Sequence, residues 1–322
     1  MNEVKMCVFA DLHDADGYYN HAPERLEKIL RHAQEEQVDL VLHCGDLCHG
    51  PTLKPELMKQ CDAFPLPLLH SIGNHECDGS TYEQVLAAYH MPKGYYYRDV
   101  HGYRFIAFDA DQMLHHGELI HYQMKNYWHI PDGGLRDETT VMDVLGDEQI
   151  AWLEQTIMDS PYPCVLFGHH SFVRIKDALR PEEREKVQAM MRRVNADKQR
   201  VQLVMCGHYH VDYLNLVDNV PYFEVNSASN YYIGPTHDRY PAEILEQHPN
   251  ARHTLIHNDP VHAIVTLRED GTVHIRGMKS SYFCGVTMES LGLPLGDPDG
   301  RLITPDVLTA SFKLDMRGLD RL

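Results

Sequence analysis

The sequence predicts a layered α/β fold, and two observations carry that expectation. Five short apolar runs, at residues 4–10, 38–43, 65–72, 163–167 and 201–206, are strand-length and rich in Val, Leu, Ile or Phe without polar alternation. That is the pattern of strands covered on both faces. Helix-like segments fill the gaps between the first runs, and strands alternating with helices make sheets with helices packed on them.

Residues 23–37 carry Leu26, Ile29, Leu30 and Ala33 at helical spacing, with Pro23 suited to a first helical turn. Residues 53–61 and 82–89 read as shorter helices. Residues 147–158 place Ile150, Leu153 and Ile157 on one stripe, and 181–194 is a charged amphipathic helix. From about residue 95 the texture changes. Residues 95–100 and 103–109 read as a hairpin turned at His101-Gly102. Further strands are expected at 211–217, 222–226, 263–267 and 272–275, the last two joined by the turn Glu269-Asp270-Gly271. These predict a second, largely antiparallel sheet. Residues 111–146 and 229–260 are too long for plain connections and are expected to be functional lids or small insertions. Residues 1–278 are expected to form one domain. Residues 279–322, with the Gly/Pro-rich stretch 292–300, are expected to form an extension whose role the sequence does not assign.

The chain of 322 residues is 43% hydrophobic and 24% charged, ordinary for a soluble globular protein and ample for a core. With 29 basic against 47 acidic residues the net charge is −18, and no Lys/Arg-rich run offsets it. Such a field argues against nucleic acid and anionic lipid as partners. Metal ions would reverse the field locally, so a small anionic substrate is compatible with it. No basic segment followed by an apolar run opens the chain, and no apolar stretch approaches the ~20 residues of a membrane span. The 8 cysteines are scattered. Cys7, Cys164 and Cys206 sit inside apolar runs, as buried thiols of a reducing compartment do. Cys44 and Cys48 lack the second pair that a structural zinc would need. A cytoplasmic location is expected.

Each apolar run ends in a polar cluster: Asp11-Leu12-His13, Gly45-Asp46, Gly73-Asn74-His75-Glu76, Gly168-His169-His170 and Gly207-His208-Tyr209-His210. Open α/β sheets bind ligands beyond the carboxyl ends of their strands, so five adjacent strands would gather these clusters at one rim. Carboxylate, amide oxygen and imidazole together suit borderline divalent metals such as Mn, Fe or Zn rather than a thiolate zinc site. Asp11/His13 and His208/His210 are i, i+2 pairs, which on an extended backbone point to one side. Four of the five clusters open with glycine, which permits a sharp turn and close approach of the backbone. In a chain with 23 histidines, no single fragment is informative. A lone strand-end His is ordinarily a satisfied surface or core residue, and Gly-Asp is ordinarily a turn. Their coincidence at five strand ends is the signal.

The order Asp-x-His, Gly-Asp, Gly-Asn-His-Glu, His, Gly-His-x-His resembles the calcineurin-like metallophosphoesterases, and it spans Asp11 to His210 with every ligand position filled. The resemblance implies one metal bound by Asp11, His13 and His210, and a second bound by Asn74, His169 and His208, with Asp46 bridging. It implies a four-layer α/β/β/α sandwich of two packed mixed sheets, and hydrolysis by a hydroxide held between metals about 3.5–4 Å apart. His169 is the implied ligand of the His169-His170 pair, leaving His170 to face substrate or core. His75 is the implied general acid or a positive group at the transition state, with a structural turn histidine as the alternative. Glu76 is a candidate orienting partner. Purple acid phosphatases carry a tyrosine three residues after the bridging aspartate. Here that position is His49, so the tyrosinate–iron version is not implied, and His49 is either pocket-lining or a loop residue.

A looser similarity in residues 103–109, Gly117-Glu118-Leu119 and Asp147-Glu148-Gln149 is to the branch that includes cyclic-nucleotide phosphodiesterases. It favours small phosphodiesters. A phosphomonoesterase acting on metabolites or proteins is the alternative, and a metal-binding scaffold without turnover is a more distant one. Tyr122, Tyr127, Trp128, Tyr231, Tyr232 and Tyr240 either stack on a flat substrate group or pack beneath long loops.

Overall fold

The computed structural model describes residues 3–175 and 179–315. Strand β1 (Glu3–Phe9) leads to α1 (Ala22–Glu35), then β2 (Leu40–Cys44), α2 (Pro55–Ala63), β3 (Leu68–Ser71) and α3 (Tyr82–Ala88). A hairpin of β4 (Tyr96–Val100) and β5 (Tyr103–Ala107) follows, then a smaller one of β6 (Gln112–His115) and β7 (Glu118–His121). Next come α4 (Asp147–Met158), β8 (Cys164–Phe167), α5 (Pro181–Val194) and β9 (Val201–Cys206). The chain continues through β10 (Tyr213–Val217), β11 (Val220–Glu224), β12 (Asn230–Tyr232), α6 (Ala242–Gln247) and β13 (Thr254–Ile256). It ends with β14 (Ala263–Arg268), β15 (Thr272–Gly277) and β16 (Ala310–Lys313).

Two six-stranded sheets result, in the orders β16-β15-β14-β1-β2-β3 and β10-β11-β9-β8-β5-β4. The five motif-bearing strands are therefore not one adjacent set: β1, β2 and β3 lie in the first sheet, β8 and β9 in the second. Nor do the later strands form an antiparallel sheet of their own. The β14–β15 hairpin extends the first sheet by pairing antiparallel with β1, while β5 pairs parallel with β8 and β11 parallel with β9. Both sheets are mixed, because each hairpin satisfies an otherwise open edge of a parallel core.

Alternation within the strands sets the layers. Val4, Met6 and Val8 of β1, with Leu40 and Leu42 of β2, meet Phe105, Val165, Phe167, Leu203 and Met205 of the other sheet. The intervening Cys7, Phe9 and Val41 pack under Leu26, Ile29 and Ala33 of α1. On the far side Ile106, Leu166 and Val204 meet Leu153 and Ile157 of α4 and Val187 and Met191 of α5. The result is an α/β/β/α sandwich, and full coverage of both strand faces is why the apolar runs show no polar alternation. Each fully buried Leu or Ile contributes about 1.5–3 kcal/mol.

The two long segments hold small insertions. β6 pairs with β7 in the first, and β12 pairs with β13 in the second. Leu245 and Leu255 of the second share a satellite core with Val286, Met288 and Ile303 of the tail, whose β16 closes antiparallel on β15. Among the described residues no helix is long and apolar enough to cross a membrane. All eight cysteines are free.

Candidate metal centre

Backbone hydrogen bonds carry the parallel ladders past the strand ends and lock the motif loops together. Asp11, His13 and Asp14 donate their amides to the carbonyls of Gly45, Asp46 and Leu47, and Gly207 donates to His169. Asp11, His13, Asp46, His208 and His210 all adopt positive φ, between 53° and 74°. The i, i+2 pairs therefore do not converge by strand alternation. They converge because left-handed turns fold the loops back over the sheet ends, a strain of about 1–3 kcal/mol per residue of the kind concentrated at functional sites. The glycines make room. A Cβ on Gly73 would strike the Asp46 carboxylate, and one on Gly45 would strike the His169 ring.

Two groups of donor atoms result. In one, His210 Nε2 lies 2.9 Å from His13 Nε2 and 3.3 Å from Asp11 Oδ1. In the other, His208 Nδ1 lies 3.1 Å from Asn74 Oδ1 and 3.2 Å from His169 Nε2. Asp46 Oδ2 stands between them, 3.1 Å from His169 Nε2 and 3.8 Å from His13 Nε2. All seven sequence-predicted ligand positions are thus brought together, across two sheets.

Tautomers are fixed from outside. His210 Nδ1 lies 2.5 Å from the Asn230 carbonyl and His169 Nδ1 2.8 Å from the Cys44 carbonyl, so both rings donate there and present bare Nε2 lone pairs inward. His49 Nδ1 faces Asp78 Oδ2 at 3.1 Å, which leaves His49 Nε2 to accept from His13 Nδ1 at 3.2 Å. His13 Nε2 then turns its own lone pair on that of His210. Two lone pairs and a carboxylate facing one another repel unless a cation or proton sits among them. Burial pushes the His13 imidazole down to about 3 despite the opposing pull of Asp11 and Asp46, so the proton is disfavoured there. The donor set fits divalent ions.

The remaining predicted residues surround this core. Glu76 accepts the amides of Asp46 (3.0 Å), Leu47 (2.6 Å) and Gly73 (2.7 Å), and the Tyr89 hydroxyl (2.8 Å). It ties the loop after β2 to the loop after β3. His170 lies outside both groups: its Nε2 faces Asp143 Oδ1 at 3.1 Å and its ring leans on His208. His75 donates its amide to Asp46 Oδ1 at 2.8 Å, and its Nδ1 lies 2.7 Å from Asp78 Oδ2. Burial opposes protonation of His75, but the Asp46 charge and the Asp78 bond outweigh it and raise its pKa. Tyr232, with Tyr18 beside it, flanks His13 and His210. Asp78 and Asn230 escaped the sequence reading. Asp78 sits three residues beyond His75, one helical turn, a spacing that could have flagged it; a backbone carbonyl such as that of Asn230 leaves no sequence signal.

A family model for calcineurin-like phosphoesterases matches residues 4–212. The chain belongs to that family. It is a metal-dependent phosphoesterase. No curated protein matches the sequence. Among solved structures, a dimetal phosphatase from Danio rerio is 15% identical, with 87% of this chain and 98% of that one covered at a TM-score of 0.56. PhoD is 14% identical, with 97% of this chain and 69% of that one covered at 0.52. GAP50, described as the anchor in the inner membrane complex of Plasmodium, is 11% identical, with 98% and 90% covered at 0.54. At these identities the likeness is one of fold, and the phosphoesterase's own side chains must supply the argument for substrate.

Proposed function

We propose that this phosphoesterase hydrolyses small phosphodiesters, with one divalent ion held by Asp11, His13 and His210, a second by Asn74, His169 and His208, and Asp46 shared. The observation that carries this is the place of Asp46 Oδ2, within 3.1 Å of one histidine group and 3.8 Å of the other. Mn, Fe or Zn suit these donors, and bound there they would supply a water of lowered pKa and neutralise phosphoryl oxygens. The chain itself fixes the geometry and moves a proton. As the new P–O bond forms, the P–O bond to the leaving group breaks with its electron pair on the leaving oxygen, which takes a proton from His75.

The wall beside the metals favours a diester. A cavity of about 250 Å³ is lined by Tyr231, Tyr232 and Pro298 together with Arg174 and Asp297. The Arg174 guanidinium is already paired with Glu224 at 3.0 Å and with Asp297. It is not free to meet the second negative charge of a monoester. The test is hydrolysis of an aryl phosphodiester against the matching monoester by Mn²⁺-loaded protein, with Asp46→Asn as control. A diester preference abolished by that substitution is expected. A monoester preference would overturn the substrate class, and stoichiometric metal without turnover on either would point to a scaffold.

A further inference from the structure

Asp78 belongs to none of the motif positions, yet three chain segments converge on its carboxylate, which is 7% exposed. Its Oδ2 faces His75 Nδ1 at 2.7 Å and His49 Nδ1 at 3.1 Å, and its Oδ1 accepts the Tyr127 hydroxyl at 2.5 Å. The His49 and His75 rings are stacked, with centroids 4.1 Å apart and planes 13° from parallel. Tyr127 comes from the 111–146 segment and is itself stacked on Tyr122 at 4.5 Å. A carboxylate that accepts N–H from two stacked imidazoles fixes the proton of each on Nδ1 and turns each Nε2 away from itself. The tyrosine hydroxyl on the other oxygen stops the carboxylate from rotating out of this arrangement.

We propose that Asp78, braced by Tyr127, is the positioning residue that keeps His75 Nε2 on the leaving oxygen, so that the 111–146 insertion is a buttress of proton transfer. This rests on the assignment of His75 as leaving-group acid. The experiment compares two diesters at saturating Mn²⁺: one with a nitrophenyl leaving group, whose oxygen departs without a proton, and one with an alkyl leaving group, whose oxygen requires one. His75→Ala should slow the alkyl diester by about 10²–10⁴-fold and the nitrophenyl diester far less. Asp78→Asn should show the same selectivity, with a loss on the order of 10–100-fold in kcat on the alkyl diester and little change in KM. Tyr127→Phe, a milder change, should shift the ratio in the same sense by less. In the metal-free protein, ¹⁵N-histidine spectra should show His75 protonated at Nδ1, and Asp78→Asn should lose that signature. Equal slowing of both diesters by Asp78→Asn and Tyr127→Phe, or a His75 bare at Nδ1 in the unsubstituted protein, would overturn the proposal. If His75→Ala itself spares the alkyl diester, the acid assignment fails first, whatever Asp78→Asn does.

Discussion

The loops after β1, β2 and β9 present Asp11, His13, Asp46, His208 and His210 on a backbone held at positive φ. The 111–146 segment anchors to the β3 loop by two amides, Lys125 to the Cys77 carbonyl and Met124 to the Ser80 carbonyl. It touches the site's functional groups through side-chain ends: the Tyr127 hydroxyl on Asp78, the Tyr122 hydroxyl 2.9 Å from Asp143, and Asp143 on His170. In the loops, the positions of the proposed ligands are a consequence of main-chain geometry, since the amides of Asp11 and His13 are bonded to the carbonyls of the β2 loop. Moving one ligand moves its neighbours. In the insertion, each side-chain contribution ends in one hydroxyl or carboxylate and can be removed alone. The first region should therefore respond to substitution all at once, and the second by degrees.

The sharpest break in that contrast comes from Asp46→Asn. Substitution of a mere orienting partner costs about 10–100-fold in metal affinity, so loss of the shared carboxylate should exceed ~100-fold and remove most turnover. Metal content by elemental analysis, read beside activity, checks it. Retention of both ions would mean that Asp46 is not shared. Next in size is the pair His169→Ala and His170→Ala. The first removes an Nε2 that lies 3.1 Å from Asp46 Oδ2 and should empty one site. The second removes the partner of Asp143 and should leave both ions in place. Equal metal loss from the two would put His170 in the ligand set.

The sequence displayed the first region almost completely and the second hardly at all. Asp11, His13, Asp46, Asn74, His169, His208 and His210 were legible because each follows an apolar run, so that one-dimensional order and three-dimensional position coincide. The division of those runs between two sheets was not legible. Strand neighbours depend on which edge a hairpin closes, and β14–β15 joins β1 after more than two hundred intervening residues. The αL turns were hidden as well: Asp and His are enriched at positive φ, yet most of them in any chain keep negative φ, so residue type alone does not mark the turns. Tyr122 and Tyr127 were visible only as aromatics of undecided purpose, because their hydroxyls take meaning from Asp143 and Asp78 across the fold.

Glu76→Gln probes the join between the motif loops. The carboxylate accepts four donors, three of them backbone amides, and Gln would set an NH₂ against two of them. About 10–100-fold weaker metal binding is expected, measured by chelator competition. Unchanged affinity would mean that the loops keep their geometry without it. Tyr122→Phe is the graded counterpart in the insertion. The hydroxyl donates to Asp143 Oδ1 and accepts from the Asp143 amide, and loss of the bond to the carboxylate alone should cost about 1.5–3 kcal/mol in a urea titration, with both ions retained. Loss of an ion here would erase the distinction between the two regions.

The smallest effect on catalysis should come from outside both regions, at His262, whose Nδ1 lies 3.1 Å from the Pro260 carbonyl and whose Nε2 lies 2.7 Å from His32 Nδ1 on α1. Burial first, then the neighbouring His32, pushes its pKa down to about 4. The unfolded chain takes up this proton near pH 6.5, whereas the folded chain resists until about 4. The folded-state pKa is the lower one, so the favourable contribution is whole above pH 6.5. It is lost as the pH falls towards 4, by up to about 1.4 kcal/mol per unit. His262→Asn should flatten that part of the stability–pH curve while leaving metal content and kcat at neutral pH untouched. An unchanged slope would mean that His262 is protonated in the fold. A fall in kcat at neutral pH would instead show that the rim of the first sheet is coupled to the metal loops.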